Sequence, residues 1–554
     1  MKLHTSKLLL ASLFLILVSC AGDDGDGGGG GGGGGNSAPV LNSPDASTGD
    51  TRVVGVGSSY AGNIHPGDSL ALSFQATDAD AGDTLTTTIS VTGGSLTAAQ
   101  AGFNESFPYS PGGAVSTHTI ILTGTAAMRG KIELTIVVDD GNGGTDQIVL
   151  LLRLGGPFLD FNGDGYDDVI VGAILDDDGG TDSGAAFIFF GSASPAASID
   201  ASAADVILVG GDSDDRFGQS VSSAGDMNGD GYDDVIVGAY FDDNGGSQSG
   251  AAFIFFGSAS PAASIDASAA GMILIGGDTG DLLGDSVSSA GDVNGDGYDD
   301  VIVGASADDD GGSQSGAAFI FFGSAGPTPQ NVDASAADVI LIGGDTGDEF
   351  GNSVASAGDV NGDGYDDVIV AARGDADGGT DSGAAFIFFG AAAPATTIDA
   401  SAADVILVGG DTGDRFGQSV SSAGDMNGDG YDDVIVGAYG DDDGGNNSGA
   451  AFIFFGAAAP AATIDASAAD VILVGGDPDD SFGASVASAG DVNGDGYDDV
   501  IVGAIWDDDG GTDSGAAFIF FGSASPAASV DASAADVILV GGDTGDRFGN
   551  SVGG

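Results

Sequence analysis

From residue 37 onward, apolar positions recur at every second residue in short runs. Leu70-Ala71-Leu72-Ser73-Phe74, Thr119 to Leu122 and Ile132 to Val138 alternate in this way, and Gln147 to Leu154 is a longer apolar run. A period of two marks a strand with one buried face. Clusters of Gly, Asp and Pro bound these runs, so residues 37–155 are predicted to form a β-sandwich. Beyond them the pattern becomes a tandem repeat. The string Asp-x-Asn-Gly-Asp-Gly-Tyr-Asp-Asp begins at Asp160, Asp226, Asp292, Asp359, Asp425 and Asp491, a step of 66 residues, once 67. In one repeat, residues 217–221 read as a first strand, the acidic loop follows from Asp226, and residues 234–239, 251–257 and 272–276 read as three further strands. Four short strands per repeat is the pattern of a propeller blade. A β-solenoid, whose coils are usually shorter, is the competing architecture.

The first repeat starts just before its acidic loop and lacks strand one. The last residues, Phe548-Gly549-Asn550-Ser551-Val552, supply a strand one with no loop after it. The two ends are thus in phase. The fold expected for residues 157–554 is an all-β, six-bladed propeller closed by the strand at 548–552, which would leave no sheet edge unpaired.

The N-terminus follows a different pattern. Lys2 and Lys7 flank the start of an apolar stretch, Leu8 to Val18, that has signal-peptide length and is too short to span a bilayer. It ends in Leu17-Val18-Ser19-Cys20, which resembles the bacterial lipobox. That resemblance implies a signal peptide over 1–19, lipidation of Cys20 and a lipid-anchored protein of the bacterial envelope. Ala21 at the next position favours the outer membrane and cell surface. Cys20 is the only cysteine, so no intrachain disulfide can form. Residues 20–36, with nine consecutive glycines, cannot pack and are predicted to be a flexible tether.

Composition sharpens this picture. The formal charge is −74, from 84 acidic and 10 basic residues. Such a chain offers phosphate no basic surface, which excludes nucleic acid as a partner. Apolar residues are nonetheless 42% of the chain, so it can build a core. The 103 glycines point to many tight turns between short strands.

The repeated loop has the chemistry of a calcium site. Calcium takes six to eight oxygen ligands, and loop positions 1, 3, 5, 7 and 9 supply them in an EF-hand-like turn. In the first loop these are Asp160, Asn162, Asp164, the Tyr166 carbonyl and Asp168. The same set recurs at Asp226, Asn228, Asp230, Tyr232 and Asp234, and at Asp292, Asn294, Asp296, Tyr298 and Asp300. It recurs again at Asp359, Asn361, Asp363, Tyr365 and Asp367, at Asp425, Asn427, Asp429, Tyr431 and Asp433, and at Asp491, Asn493, Asp495, Tyr497 and Asp499. About six structural calcium ions are therefore expected. Six solvated acidic turns are the plainer alternative, but three carboxylates converging in one loop repel each other without a cation.

The Phe-Gly pair, the acidic loop and the Gly-Ala after strand two resemble the FG-GAP repeats of the integrin α-subunit propeller. The proline of that motif is absent here, its place taken by Ile174, Tyr240 or Ser306, and integrin propellers have seven blades. The turns at 77–83 and 138–145 resemble those of cadherin-like and Ig-like adhesin domains. Together these resemblances imply a calcium-binding surface protein that acts in adhesion or partner binding. The integrin likeness implies that ligands meet the face built by the loops between strands two and three and between strands four and one. That face would carry Tyr240, Phe241, Tyr439 and Trp506. An extracellular protein is the expected partner, and a carbohydrate or matrix polymer bound through calcium is the alternative. Arg373-Gly374-Asp375 spells a tripeptide recognised by integrins, but one substitution from the Tyr439-Gly440-Asp441 of the next repeat creates it. Catalysis is not expected. Histidines and lysines are absent from the repeats, whose only cations are Arg216, Arg373, Arg415 and Arg547.

Overall fold

The computed structural model describes the backbone of nine strands between residues 40 and 154, and then residues 159–553 apart from 165, 193–195, 197 and 326–330. The chain divides into two compact units, Met1–Gly156 and Pro157–Gly554. The signal peptide, Cys20, the tether and most of the acidic turns of the first unit lie outside the described residues.

In the first unit, Val40–Thr48, Ser69–Thr77 and Ser116–Thr123 form a three-stranded antiparallel sheet. A six-stranded sheet runs in the order Val53–Val56, Ser59–Ile64, Thr145–Leu154, Gly130–Asp139, Thr86–Thr92, Phe107–Pro108. Two sheets are the components a sandwich requires.

The second unit is a series of similar small sheets with no α-helix among the described residues. The repeat around Asp359 shows the plan. Strand one, Phe350–Gly358, pairs antiparallel with strand two, Asp367–Ala372. Strand two pairs with Ala384–Phe388, and that strand with Val405–Val408. A fifth strand, Thr463–Asp465, comes from the following repeat and joins Val405–Val408 in parallel. Each such strand runs into a single 3-10 turn; Asp399, for example, caps Ala400–Ala402 by accepting a hydrogen bond from the Ser401 amide.

Strand two is buried on both faces, which explains its unbroken apolar run; every residue of Asp367–Ala372 is buried. The core lies between successive repeats. Phe416 is 1% exposed and packs edge-on against Phe452 and Phe454, at centroid distances of 5.4 and 6.1 Å. It sits in one cluster with Ile369 and Ile387 of the preceding repeat.

The two glycines of the motif meet at this junction. A Cβ on Gly304, in the Gly-Ala after strand two, would lie 2.0 Å from the carbonyl oxygen of Gly351, in the Phe-Gly of the next repeat. Gly351 itself has φ +86, a left-handed conformation that glycine adopts without strain. The motif therefore records how closely neighbouring sheets approach.

The C-terminal segment docks as a further strand one. Phe548 bridges Gly515, and the Val552 amide donates to Ser485 Oγ at 3.0 Å. The expected closure goes further than this. Among the described residues, 548–552 forms no ladder with Val169–Ala173, the strand two of the first repeat, which pairs only with Ala185–Phe189. Val169 and Val171 are 58% and 48% exposed, whereas their equivalents Val235 and Val237 are fully buried. Phase along the sequence fixes which strand each end lacks. It does not fix the angle between successive sheets.

These burials lead to a paired prediction. Phe416→Ala should destabilise the repeat unit by about 3–5 kcal/mol. Phe548→Ala removes a ring that is 44% exposed and should cost less than about 1 kcal/mol. Denaturant unfolding of the two variants checks this, and equal losses would mean that Phe548 is as buried in solution as Phe416.

Candidate functional site

Each acidic loop leads into strand two, from strand one in all repeats but the first, and is built from aspartate side chains that accept backbone amides. In the fourth loop, Asp359 Oδ1 accepts from the amides of Gly362 and Asp363 at 2.7 and 3.0 Å, and Oδ2 from Gly364 at 2.9 Å. Asp363 Oδ1 accepts from the Tyr365 amide at 3.1 Å. In the second loop, Asn228 Oδ1 accepts from the Asp230 amide at 2.9 Å. The turn depends on the first glycine of each loop, with φ between +71 and +74.

In the second to sixth loops the ninth position lies deepest. Asp234, Asp300, Asp367, Asp433 and Asp499 are fully buried, and Asp168 is nearly so. Each accepts two amides that pin the loop to the sheet. Asp367 Oδ2 takes the Val360 amide at 3.0 Å, and Oδ1 takes the Gly390 amide at 2.9 Å. Burial pushes the carboxyls of Asp300, Asp367 and Asp433 up to about 8, and that of Asp168 to about 7. The charges at loop positions 1 and 5 add to the rise, so the three carboxylates of a loop sense one another.

The carboxylates are arranged around amides. Among the described residues, no group of three or more His, Cys, Asp or Glu side chains forms a ready metal-ligand set. The oxygen donors nonetheless suit a hard cation, and one of them lacks a partner. Asn427 Oδ1, at position 3 of the fifth loop, is buried without a hydrogen bond.

One residue of the loop was not assigned a role from sequence. The eighth position, the first aspartate of the closing doublet, reaches the preceding repeat. Asp233 Oδ2 accepts the Asp160 amide at 2.7 Å, and Asp299, Asp366, Asp432 and Asp498 hold Asp226, Asp292, Asp359 and Asp425 at 2.6–2.8 Å. The unbroken doublet in every loop was the available signal.

The other end of strand two carries the loops between strands two and three and between strands four and one. The residues expected to form a ligand face lie here, half-buried and mostly paired. The Arg216 guanidinium lies 5.5 Å from the Phe241 ring centre, and the Tyr240 and Phe241 rings lie 4.1 Å apart, tilted by 39°. Arg415 lies over Tyr439 at 5.5 Å and hydrogen-bonds its hydroxyl. Arg547 lies 3.9 Å above Trp506. In the repeat that reads Arg373, the residue preceding Phe is Glu349, and the two form an ion pair at 2.6 Å. Variation at the strand two–three loop thus accompanies variation at the residue before Phe-Gly, a column that sequence reading left unassigned. The Arg-Gly-Asp sequence is not displayed as a free tripeptide: Arg373 is paired, and Asp375 is 7% exposed with Oδ1 accepting the Asp377 amide.

Pairs of buried aspartates lie beneath this face: Asp215 with Asp242, Asp281 with Asp308, Asp348 with Asp375, and Asp414 with Asp441. Burial, then the Asp242 charge, pushes Asp215 up to about 7. Burial likewise takes Asp308, Asp375 and Asp441 to about 6.

The comparisons with known proteins agree with this architecture. The FG-GAP repeat family matches residues 217–255, 283–321, 350–388, 416–454 and 482–520. The first repeat, which lacks its Phe-Gly strand, is not among the matches. Mouse integrin alpha-IIb is 35% identical over 154 residues, 27% of this chain and 14% of that protein. Human integrin alpha-IIb is 34% identical over 154 residues, with the same coverage. Drosophila melanogaster integrin alpha-PS5 is 35% identical over 152 residues, 26% of this chain and 14% of that protein. The chain therefore spans about one seventh of the length of these relatives. The chain thus carries five FG-GAP repeats, and its repeated four- and five-stranded sheets match the blades of FG-GAP β-propellers.

The raised carboxyls determine how stability varies with pH. Their folded-state values exceed the unfolded ones, so the folded protein holds protons that the unfolded chain releases. The stability they contribute is complete below about pH 4 and is lost as pH rises through about 6 to 8. In chelator, the melting temperature of the repeat unit should therefore fall between about pH 5 and pH 8. Thermal melts across that interval test the expectation, and a rising melting temperature would refute it.

Proposed function

We propose that this chain is a calcium-stabilised, non-enzymatic binding protein of adhesion type, which meets an extracellular protein through the face bearing Tyr240, Phe241, Tyr439 and Trp506. One observation carries the cation reading. Each of six nine-residue loops carries three mutually repelling carboxylates and an asparagine oxygen in its sequence, and at Asn427 that oxygen is buried without a partner. Oxygen donors of this kind and number suit calcium. Asp359, Asn361, Asp363, the Tyr365 carbonyl and Asp367 would hold an ion in the fourth loop, and their equivalents would do so in the other five. The ion would supply the positive charge that the loop itself lacks.

Similarity to integrin α-subunits supports the adhesion-type role. The arginine-on-aromatic pairs favour a protein partner over a sugar polymer. A guanidinium already covers one face of Phe241, Tyr439 and Trp506, which leaves less ring surface for a sugar to stack on. Cys20 would tether the protein to the outer membrane by its lipid, with residues 20–36 as the spacer. Labelling cells with a clickable palmitate analogue tests this, and an unlabelled wild-type protein that Cys20→Ser leaves equally membrane-bound would refute it.

Calcium should raise the melting temperature of the repeat unit by many degrees, because a ligand at a hundredfold its dissociation constant stabilises the folded state by about 2.7 kcal/mol per site. Equilibrium dialysis should find about six bound ions, and magnesium should substitute poorly. Fewer than about four ions, with no calcium-dependent shift in calorimetry, would overturn the cation reading. A combined protein and glycan array would separate the protein partner from the carbohydrate alternative.

A further inference from the structure

We infer that the loops are interlocked, and that the aspartate at position 8 of every loop after the first is a positioning residue for the ion site of the preceding loop. The inference rests on the cation reading of those loops.

Three contacts at each junction carry it. The position-8 carboxylate receives the amide of the preceding loop's first ligand; Asp299 Oδ2, for example, accepts the Asp226 amide at 2.8 Å. The Tyr298 ring covers the preceding loop's glycine, so that a Cβ on Gly229 would lie 2.4 Å from Tyr298 Cε1. The Ser324 amide, beyond strand three, donates to the Met227 carbonyl at 2.8 Å. Ligand positions 1 and 3 of the loop at Asp226 thus flank residues held by the following repeat. The same three contacts join Asp366, Tyr365 and Ala391 to the loop at Asp292, and Asp432, Tyr431 and Ala457 to the loop at Asp359.

The direction of the grip is fixed. Tyr298 and Asp299 are positions 7 and 8 of their own loop, lying between its ligands Asp296 and Asp300. An ion that orders that loop therefore orders the two residues that clamp the loop before it. Coupling of this kind is reciprocal in free energy, so the sites should fill cooperatively along the array. The loop at Asp491 provides an internal contrast. No atom lies within 4 Å of a Cβ on Gly494, and Val492 is 53% exposed where its equivalent Met426 is 2%.

The test is hydrogen exchange by mass spectrometry on the full chain during a calcium titration. Peptides that extend to residues 241, 307, 374, 440 and 506 distinguish the loops, because the repeats differ there. In the wild type, loop protection should appear with a Hill coefficient above 1. Asp299→Ala should raise the calcium midpoint of the loop at Asp226 by about tenfold or more, and that of its own loop at Asp292 by less, through the lost coupling alone. Asp299→Asn, which keeps an oxygen acceptor in the same place, should recover part of the loss. A shift in the Asp292 loop equal to or greater than that in the Asp226 loop would overturn the inference, as would an unmoved Asp226 loop. If no wild-type loop gains protection at any calcium concentration, the cation reading itself fails.

Discussion

Aspartate carboxylates that accept backbone amides hold this repeat unit together. The chain carries 84 acidic and only 10 basic residues, so most carboxylates have no cationic side chain to pair with. Their partners are the amide groups of turns. A carboxylate on an amide makes a charge-assisted hydrogen bond, stronger than a neutral one, and satisfies turn donors that would otherwise be lost to the sheet. Position 1 of the acidic loop closes the turn, position 9 pins it to the sheet, position 8 fastens it to the neighbouring repeat, and a further aspartate caps each 3-10 turn. The high acid content is thus largely structural.

Strand two links the two functional ends of each repeat. After the first repeat it is buried on both sides, and its length sets the separation between the acidic loop and the paired surface residues at its far end. The apolar contacts give cohesion without direction. The tight glycine junction, such as Gly304 against the Gly351 carbonyl, fixes how closely the sheets approach. The aspartate clamp fixes their register at one end, and the parallel strand donated by the next repeat does so at the outer edge. A change at one junction therefore reaches the loops and not only the core.

Much of this was legible in the sequence because each repeated element has a local cause. The alternating and fully apolar runs gave the strands, and Asp-x-Asn-Gly-Asp-Gly gave the turn. What escaped reading depends on contacts between repeats. Thr463–Asp465 is three residues long and shows no periodicity of its own, since its pairing partner lies in the preceding repeat. The role of Asp299 could not be separated from that of Asp300 by type or position, because only the fold sends one carboxylate inward and the other across the junction. Arg216 and Arg415 sit alone in an acidic stretch, and only proximity in space reveals their aromatic partners.

The two layers of carboxylates, at opposite ends of strand two, place different demands on a cation. In the acidic loops, the amides take up the carboxylate lone pairs only in part, because each oxygen can accept more than one bond. An ion can therefore join without dismantling the turn. In the pairs beneath the opposite face, such as Asp215 with Asp242, burial and the neighbouring charge raise the carboxyl, so that uptake of a proton relieves their repulsion. Protons and a divalent cation are then alternative ways of discharging the same unit, the first more effective in acid and the second at neutral pH and above. A protein whose carboxylates were merely solvated surface charge would show neither dependence, because water and dissolved salt already screen such groups. Its stability should instead follow ionic strength and be indifferent to which cation provides it.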